Sequence, residues 1–226
     1  MIIAQITTAQ DTVNTIATQS DTVSILDLLL QGGFMMIPIF ILSAMAVYIF
    51  AERVLTINKA AKTPDDFMSG IRDRVEKGDI NGAKVLCGQY DSPIAKMIEK
   101  GVSRIGSPLK NIEVSIENVG KIEIFKLEKN LALLATISGA APMLGFLGTV
   151  IGMIQSFIAI AQEEGSVSPK LLSEGIYTAM VTTAAGLFVG ILAYIGYNYL
   201  VSRVQKVVHK MEYNSVDFID LLQEPR

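Results

Sequence analysis

Three stretches without a single Asp, Glu, Lys, Arg or His constrain this chain more than any other feature: Leu28–Ala51, Leu131–Gln162 and Gly175–Ser202. An uncharged apolar run longer than about 18 residues reads as a membrane-crossing helix. At about 1.5 Å per residue the runs give ~36, ~48 and ~42 Å of helix, against a hydrocarbon core of ~30 Å. The first crosses with some tilt, and the other two protrude. Composition agrees, since 50% of the 226 residues are hydrophobic and only 18% are charged, against about 25% charged in soluble chains. A soluble globular enzyme and a disordered chain are excluded as first readings. One cysteine and a net charge of −3 exclude a disulfide scaffold and a nucleic-acid binder.

The positive charges set an expected orientation. No Lys or Arg precedes the first run, fourteen lie in 52–130, and the connection 163–174 has only Lys170. The tail carries Arg203, Lys206, Lys210 and Arg226. The expected fold is an all-α integral membrane protein with three transmembrane helices, N-terminus outside and C-terminus inside, and long cytoplasmic extensions of helices two and three. Along the chain this gives a polar outer extension 1–24, a first membrane helix 25–51 and a cytoplasmic helical segment 52–129. A second membrane helix 130–161, an outer hairpin 162–174, a third membrane helix 175–200 and a cytoplasmic C-terminal helix 201–226 follow. The start, MIIAQITTAQD, has neither Lys nor Arg and does not resemble a cleavable signal peptide, so the first span is expected to direct insertion itself. Cys87 then lies in the reducing compartment, and His209 on a solvated helix surface.

Inside, Thr63-Pro64 is expected to open a helix ending near Gly78, and Asp79 to cap the next, ending near Gly88. Ser92-Pro93 starts another that stops around Gly106. Ile112, Ile116, Val119 and Ile122/Glu123 step by three and four, predicting one continuous helix from Pro108 to Ala161. In the tail Val201, Val204, Val208, Met211, Ser215, Phe218 and Leu222 form a coiled-coil-like stripe. Two partners suit that stripe equally: the protein's own inner helices, or copies of the same chain.

The second and third spans hold the functional signal. Gly145, Gly148, Gly152 and Pro142 on one, and Gly186 and Gly190 on the other, read as a helix-packing stripe, because small residues let membrane helices approach closely. Thr149, Thr178, Thr182 and Thr183 form a second stripe. Each hydroxyl either bonds a carbonyl one turn back in its own helix or lines a polar seam, and the residues alone leave both open. None of the three uncharged runs contains an Asp, Glu, His, Lys or Arg, so a pump or proton relay working unaided is excluded. Catalytic residues, a metal site and a cofactor are not expected, since no P-loop, nucleophile–base pair or metal-spaced cluster appears.

The run Ala141-Pro142-Met143-Leu144-Gly145-Phe146-Leu147-Gly148-Thr149-Val150-x-Gly152-Met153-Ile154 closely resembles a signature of the MotA/TolQ/ExbB proton-channel family. Gly175-Ile176-x-x-Ala179-x-Val181-x-Thr183-x-x-Gly186-Leu187, followed by Tyr197-Asn198, is similar to its third-helix motif. Weaker matches lie at Glu52-Arg53 and from Gly78-Asp79 through Ala83 and Cys87. Three spans, an outer N-terminus and this length resemble the ExbB/TolQ branch, and the outer extension favours ExbB.

The resemblance implies a homopentameric ring in the bacterial inner membrane, its channel lined by the second and third helices. It implies an ExbD-like single-span partner, two copies within the ring, each bringing a membrane aspartate, and a TonB-like protein that couples the work to outer-membrane transport. Membrane lipid is the remaining partner. By motif position Thr149 and Thr183 match the family's lining threonines. Relatives often carry a glutamate one to two turns before the second threonine; Thr178 stands there in this chain, so the proton chemistry falls to the partner. A TolQ-like role in envelope maintenance, a passive packing subunit of another transporter and a self-contained channel are the alternatives.

Overall fold

The computed structural model of the chain describes residues 33–64, 66–162 and 169–223. Among these residues every regular element is a helix: α1 (Met36–Ala60), α2 (Phe67–Glu76), α3 (Ile80–Gly88), α4 (Pro93–Val102), α5 (Leu109–Glu128), α6 (Leu131–Gln162) and α7 (Pro169–Gln223). Three helical stretches are long and apolar enough to cross a bilayer: α1, the α5–α6 run, and α7 from Gly175 onward. The expected extension 1–24, residues 25–32 of the first span and residues 163–168 of the hairpin lie outside the described residues.

The short helices form where local chemistry caps them. The Asp79 carboxylate accepts from the Gly82 N–H at 2.8 Å, opening α3. Ser92 Oγ accepts from the Ala95 N–H at 3.2 Å, and Pro93 occupies the first turn of α4. Both satisfy N–H groups that a helix start leaves without partners. α2 begins three residues after the expected Pro64, whose carbonyl instead accepts from the Phe67 N–H at 3.1 Å in a preceding turn.

α7 is the longest element. Its 55 residues extend for about 82 Å, packing on α6 and α1 in its first half and on the short helices in its second. Val204, Met211 and Phe218 of the tail stripe are buried in one core with Ile71, Ile98 and Ile116. A methyl group at Gly101 would come within 2.6 Å of the Phe218 ring and 2.7 Å of Ile116, so α4 meets α7 through a residue without a side chain. Arg72 of α2 adds an ion pair to Asp217 at 3.0 Å. The stripe thus covers the chain's own inner helices.

The expected unbroken helix from Pro108 to Ala161 is interrupted. Lys129 is extended (φ −50°, ψ 135°), and Asn130 lies in the left-handed region at φ 63°, which Asn tolerates better than most residues. The break frees the Lys126 carbonyl, which accepts from Arg53 Nη1 at 3.1 Å. Arg53 is 3% exposed and also pairs with Glu52, whose second oxygen accepts from Asn130 Nδ2 at 3.4 Å. The end of α1 therefore holds the α5–α6 joint with a charged clamp. Beside it, Lys59 and Lys96 each reach Asp91 at 2.8 Å. Glu123 bridges Lys96 and Lys126 at 3.6 and 2.5 Å.

Candidate functional site

α6 and α7 pack antiparallel along the small-residue stripe. A Cβ at Gly190 would lie 2.5 Å from Pro142 Cγ, and one at Gly186 only 2.5 Å from the Ala141 carbonyl and 2.9 Å from Gly145 Cα. A Cβ at Gly148 would stand 2.7 Å from Thr182 Oγ1, and one at Gly152 2.9 Å from Ala179 Cβ. At the far end Ser156 fills the space over Gly175. Contacts thus climb α6 from 142 to 156 while descending α7 from 190 to 175, about 21 Å of seam. No larger side chain fits at Gly186 without parting the backbones, and such close approach is what holds helices together where lipid removes any hydrophobic drive.

Pro142 adds a reason for the crossing. It has no N–H to give the Ser138 carbonyl one turn back. A Cβ at Gly190 would sit 3.0 Å from that oxygen, so the bare Gly190 backbone covers the gap in the α6 ladder.

The four threonines divide. Thr182 is 1% exposed, pressed on Gly148, and its hydroxyl is directed back to the Ala179 and Thr178 carbonyls at 2.7 and 3.1 Å. Thr183 is half-buried and donates across the seam to the Gly145 carbonyl at 2.9 Å. Thr149, also half-buried, donates to the Phe146 carbonyl of its own helix at 2.6 Å. Thr178 is half-buried, its methyl lying 3.7 Å from where a Cβ on Gly33 would stand. A carbonyl only accepts, so each bonded hydroxyl has given its one proton and keeps acceptor lone pairs alone. Hence a group approaching Thr149 or Thr183 has to donate. Ser156, 4% exposed with its hydroxyl on the Gly152 carbonyl at 2.9 Å, belongs to the same seam and was not among the expected residues. Its place opposite Gly175 depends on the register of two helices, which spacing within either one does not reveal.

Around this polar line the seam helices present a broad apolar surface, including Met143, Phe146, Phe157, Met180 and Phe188, each at least 60% exposed. Leu131–Gln162 and Gly175–Ser202 carry no Asp, Glu, His, Lys or Arg. Among the described residues no three His, Cys, Asp or Glu side chains gather where they could hold a metal.

A packed pair of apolar helices with a hydroxyl seam lies within the segment that similarity to known proteins covers. The sequence profile of the MotA/TolQ/ExbB proton channel family matches residues 89–213, more than half of the chain and the whole of the seam. The chain belongs to this family. A biopolymer transport protein, exbB1 of Vibrio cholerae, is 29% identical over 206 residues, covering 86% of this chain and 86% of the relative. An ExbB homolog of Methanothermobacter thermautotrophicus is 29% identical over 194 residues, 84% of this chain and 67% of that one. The Tol-Pal system protein TolQ of Haemophilus influenzae is 35% identical over 98 residues, 43% of this chain and 41% of the relative. The match to exbB1 of Vibrio cholerae thus spans 86% of this chain, and that to TolQ of Haemophilus influenzae 43%.

Proposed function

We propose that this chain is the ring-forming inner-membrane subunit of a motor driven by the proton-motive force. Five copies surround two copies of an ExbD-like single-span partner, and a TonB-like protein carries the work to outer-membrane transporters. The N-terminus faces the periplasm and the short helices face the cytoplasm, following the positive charges. The observation that carries this reading is the acceptor-only hydroxyl pair, Thr149 and Thr183, in the runs Leu131–Gln162 and Gly175–Ser202, which contain no Asp, Glu, His, Lys or Arg.

That pair suits a partner aspartate in one protonation state. A protonated carboxyl donates to a threonine oxygen; an ionised one has nothing to donate and meets lone pairs. An ionised Asp at the bilayer centre already costs about 2.5–3.5 kcal/mol. The seam therefore holds the neutral acid, and release of the proton to the other side expels the carboxylate from it. Repeated around a ring, the alternation moves the partner relative to the five copies. Thr182, turned into the seam, serves packing. Thr178, at the position where the family resemblance often implies a glutamate, contributes no charge.

Extended similarity to exbB1 along 86% of both chains favours the ExbB role over the TolQ role. The test is coupled transport in cells carrying Thr149→Val and Thr183→Val together. Transport is expected to fall at least tenfold while the protein still assembles, and Thr183→Ser, which retains the hydroxyl, is expected to restore most of it. Normal transport in the double variant would overturn the lining assignment.

A further inference from the structure

Apart from the seam, the described membrane helices enclose a sizeable void between α1 and α7, with Leu134 of α6 also on its wall. It has a volume of about 580 Å³, lined by Ala46, Val47 and Phe50 on one side and Ala193, Gly196 and Tyr199 on the other. We propose that this groove binds one phospholipid with an acidic head group, from the leaflet adjoining the short helices. The inference rests on α1 and α7 as membrane helices and not on the motor reading.

Length decides against a protein helix as occupant. On α1 the groove runs from Ser43 to Val54, about 16 Å, which is half of the ~30 Å hydrocarbon core and so the depth of one leaflet. A crossing helix from a second copy needs the whole thickness. Beyond Ser43 the groove is shut, because Ile39 and Met36 are 2% and 3% exposed. On its floor the Phe50 ring lies over Gly196, where a Cβ would stand 3.0 Å from Phe50 Cδ2.

Chemistry along the groove follows the layers of a leaflet. Leu192, Gly196, Tyr199, Arg203 and Lys206 recur every three or four residues and share one face of α7. They change from apolar to aromatic to cationic in the order of acyl chain, interface and head group. Arg203 closes the mouth: its Nη2 donates to Asn58 Oδ1 at 2.7 Å, and its guanidinium carbon lies 6.0 Å from the Tyr199 ring centroid. Among the described residues neither Arg203 nor Lys206 has a carboxylate partner, although Lys59, next to Asn58, pairs with Asp91. The guanidinium is thus held at the mouth by neutral groups, with its charge uncompensated. Lipid tails are as apolar as leucine, so the tail fills the void without a hydrophobic gain, and selection falls to the head group.

The chain has no tryptophan, so one introduced at the groove reports alone. The full-length Leu192→Trp protein would be placed in phosphatidylcholine vesicles doped with chain-brominated phosphatidylglycerol or, in parallel, chain-brominated phosphatidylcholine. Quenching by the acidic lipid is expected at an about fivefold lower mole fraction, the effect of one cation near the surface. Adding Arg203→Gln is expected to erase the difference. Val47→Trp, on the opposite wall, repeats the reading if Leu192→Trp fails to fold. Equal quenching by both lipids would overturn the proposal. So would unquenched fluorescence at both groove positions while Tyr194→Trp on the exposed face is quenched, which would assign the groove to a second copy of the chain.

Discussion

Thr183 commits its only proton to the Gly145 carbonyl, and that single bond has consequences of two sizes. For stability it is minor, because hydrogen bonds between membrane helices average about 0.6 kcal/mol; a valine there leaves the glycine-packed seam in place. For chemistry it decides which protonation state of a neighbouring acid the hydroxyl can meet, which is why the valine variants are predicted to lose transport and not assembly. Asp91 shows the opposite balance. Its carboxyl is held at about 2, below the ordinary 3.8, by hydrogen bonds from Lys59 and then Lys96. Because the folded value is depressed, the unfolded chain binds more protons as pH falls. The stabilisation is full above about pH 4 and disappears as pH drops through 2. The side chain is 60% exposed, so screening keeps the effect small. In low salt the thermal midpoint of the wild type is predicted to fall between pH 4 and 2 more steeply than that of Asp91→Asn, with the gap narrowing in high salt. Superimposable pH curves at low salt would contradict this linkage. Cys87 takes no part: burial pushes its thiol up to about 12, which leaves it unreactive at neutral pH.

Among the elements, the α5–α6 joint and the α6–α7 seam bear the most on how the molecule is built. Asn130 holds a left-handed conformation, so Asn130→Gly should keep or raise the thermal midpoint in detergent. Asn130→Val should lower stability by about 1–2 kcal/mol, the cost of forcing a branched residue into that region. An unchanged Val variant would mean that the joint is a continuous helix. At the seam, Gly186→Ala puts a methyl against the Ala141 carbonyl and should cost roughly 1–3 kcal/mol, whereas Gly139→Ala, with open space around it, should be silent. Equal midpoints for the two would remove close approach as the basis of the seam. The sequence made the spans, the Asp79 and Ser92 caps and the glycine stripe legible, because each is set by neighbours a few residues away. It did not reveal the joint, since the three-and-four spacing persists on both sides of Lys129 and only Asn130 marks the interruption. Nor did it separate Thr182 from Thr183. Adjacent hydroxyls on one helix look alike until the register with α6 turns one onto Gly148 and the other onto the Gly145 carbonyl.

As a whole molecule, the protein couples a membrane seam to an extramembrane bundle through one uninterrupted helix. α7 carries Thr183 near one end and Phe218, sealed against Gly101, near the other. A displacement at the seam therefore reaches the bundle without passing through a loop. The broad apolar faces of α6 and α7 require lipid or further helices beside them, and the proposed lining role of Thr149 and Thr183 calls for an acid from a partner. Both needs are met if copies close into a ring around a partner. Native mass spectrometry of the detergent-purified chain, alone and co-expressed with candidate single-span proteins, tests that claim most directly. The account predicts five copies of this chain, taking up two copies of a small subunit with one membrane aspartate. A monomer, or a ring that accepts no such subunit, would contradict it.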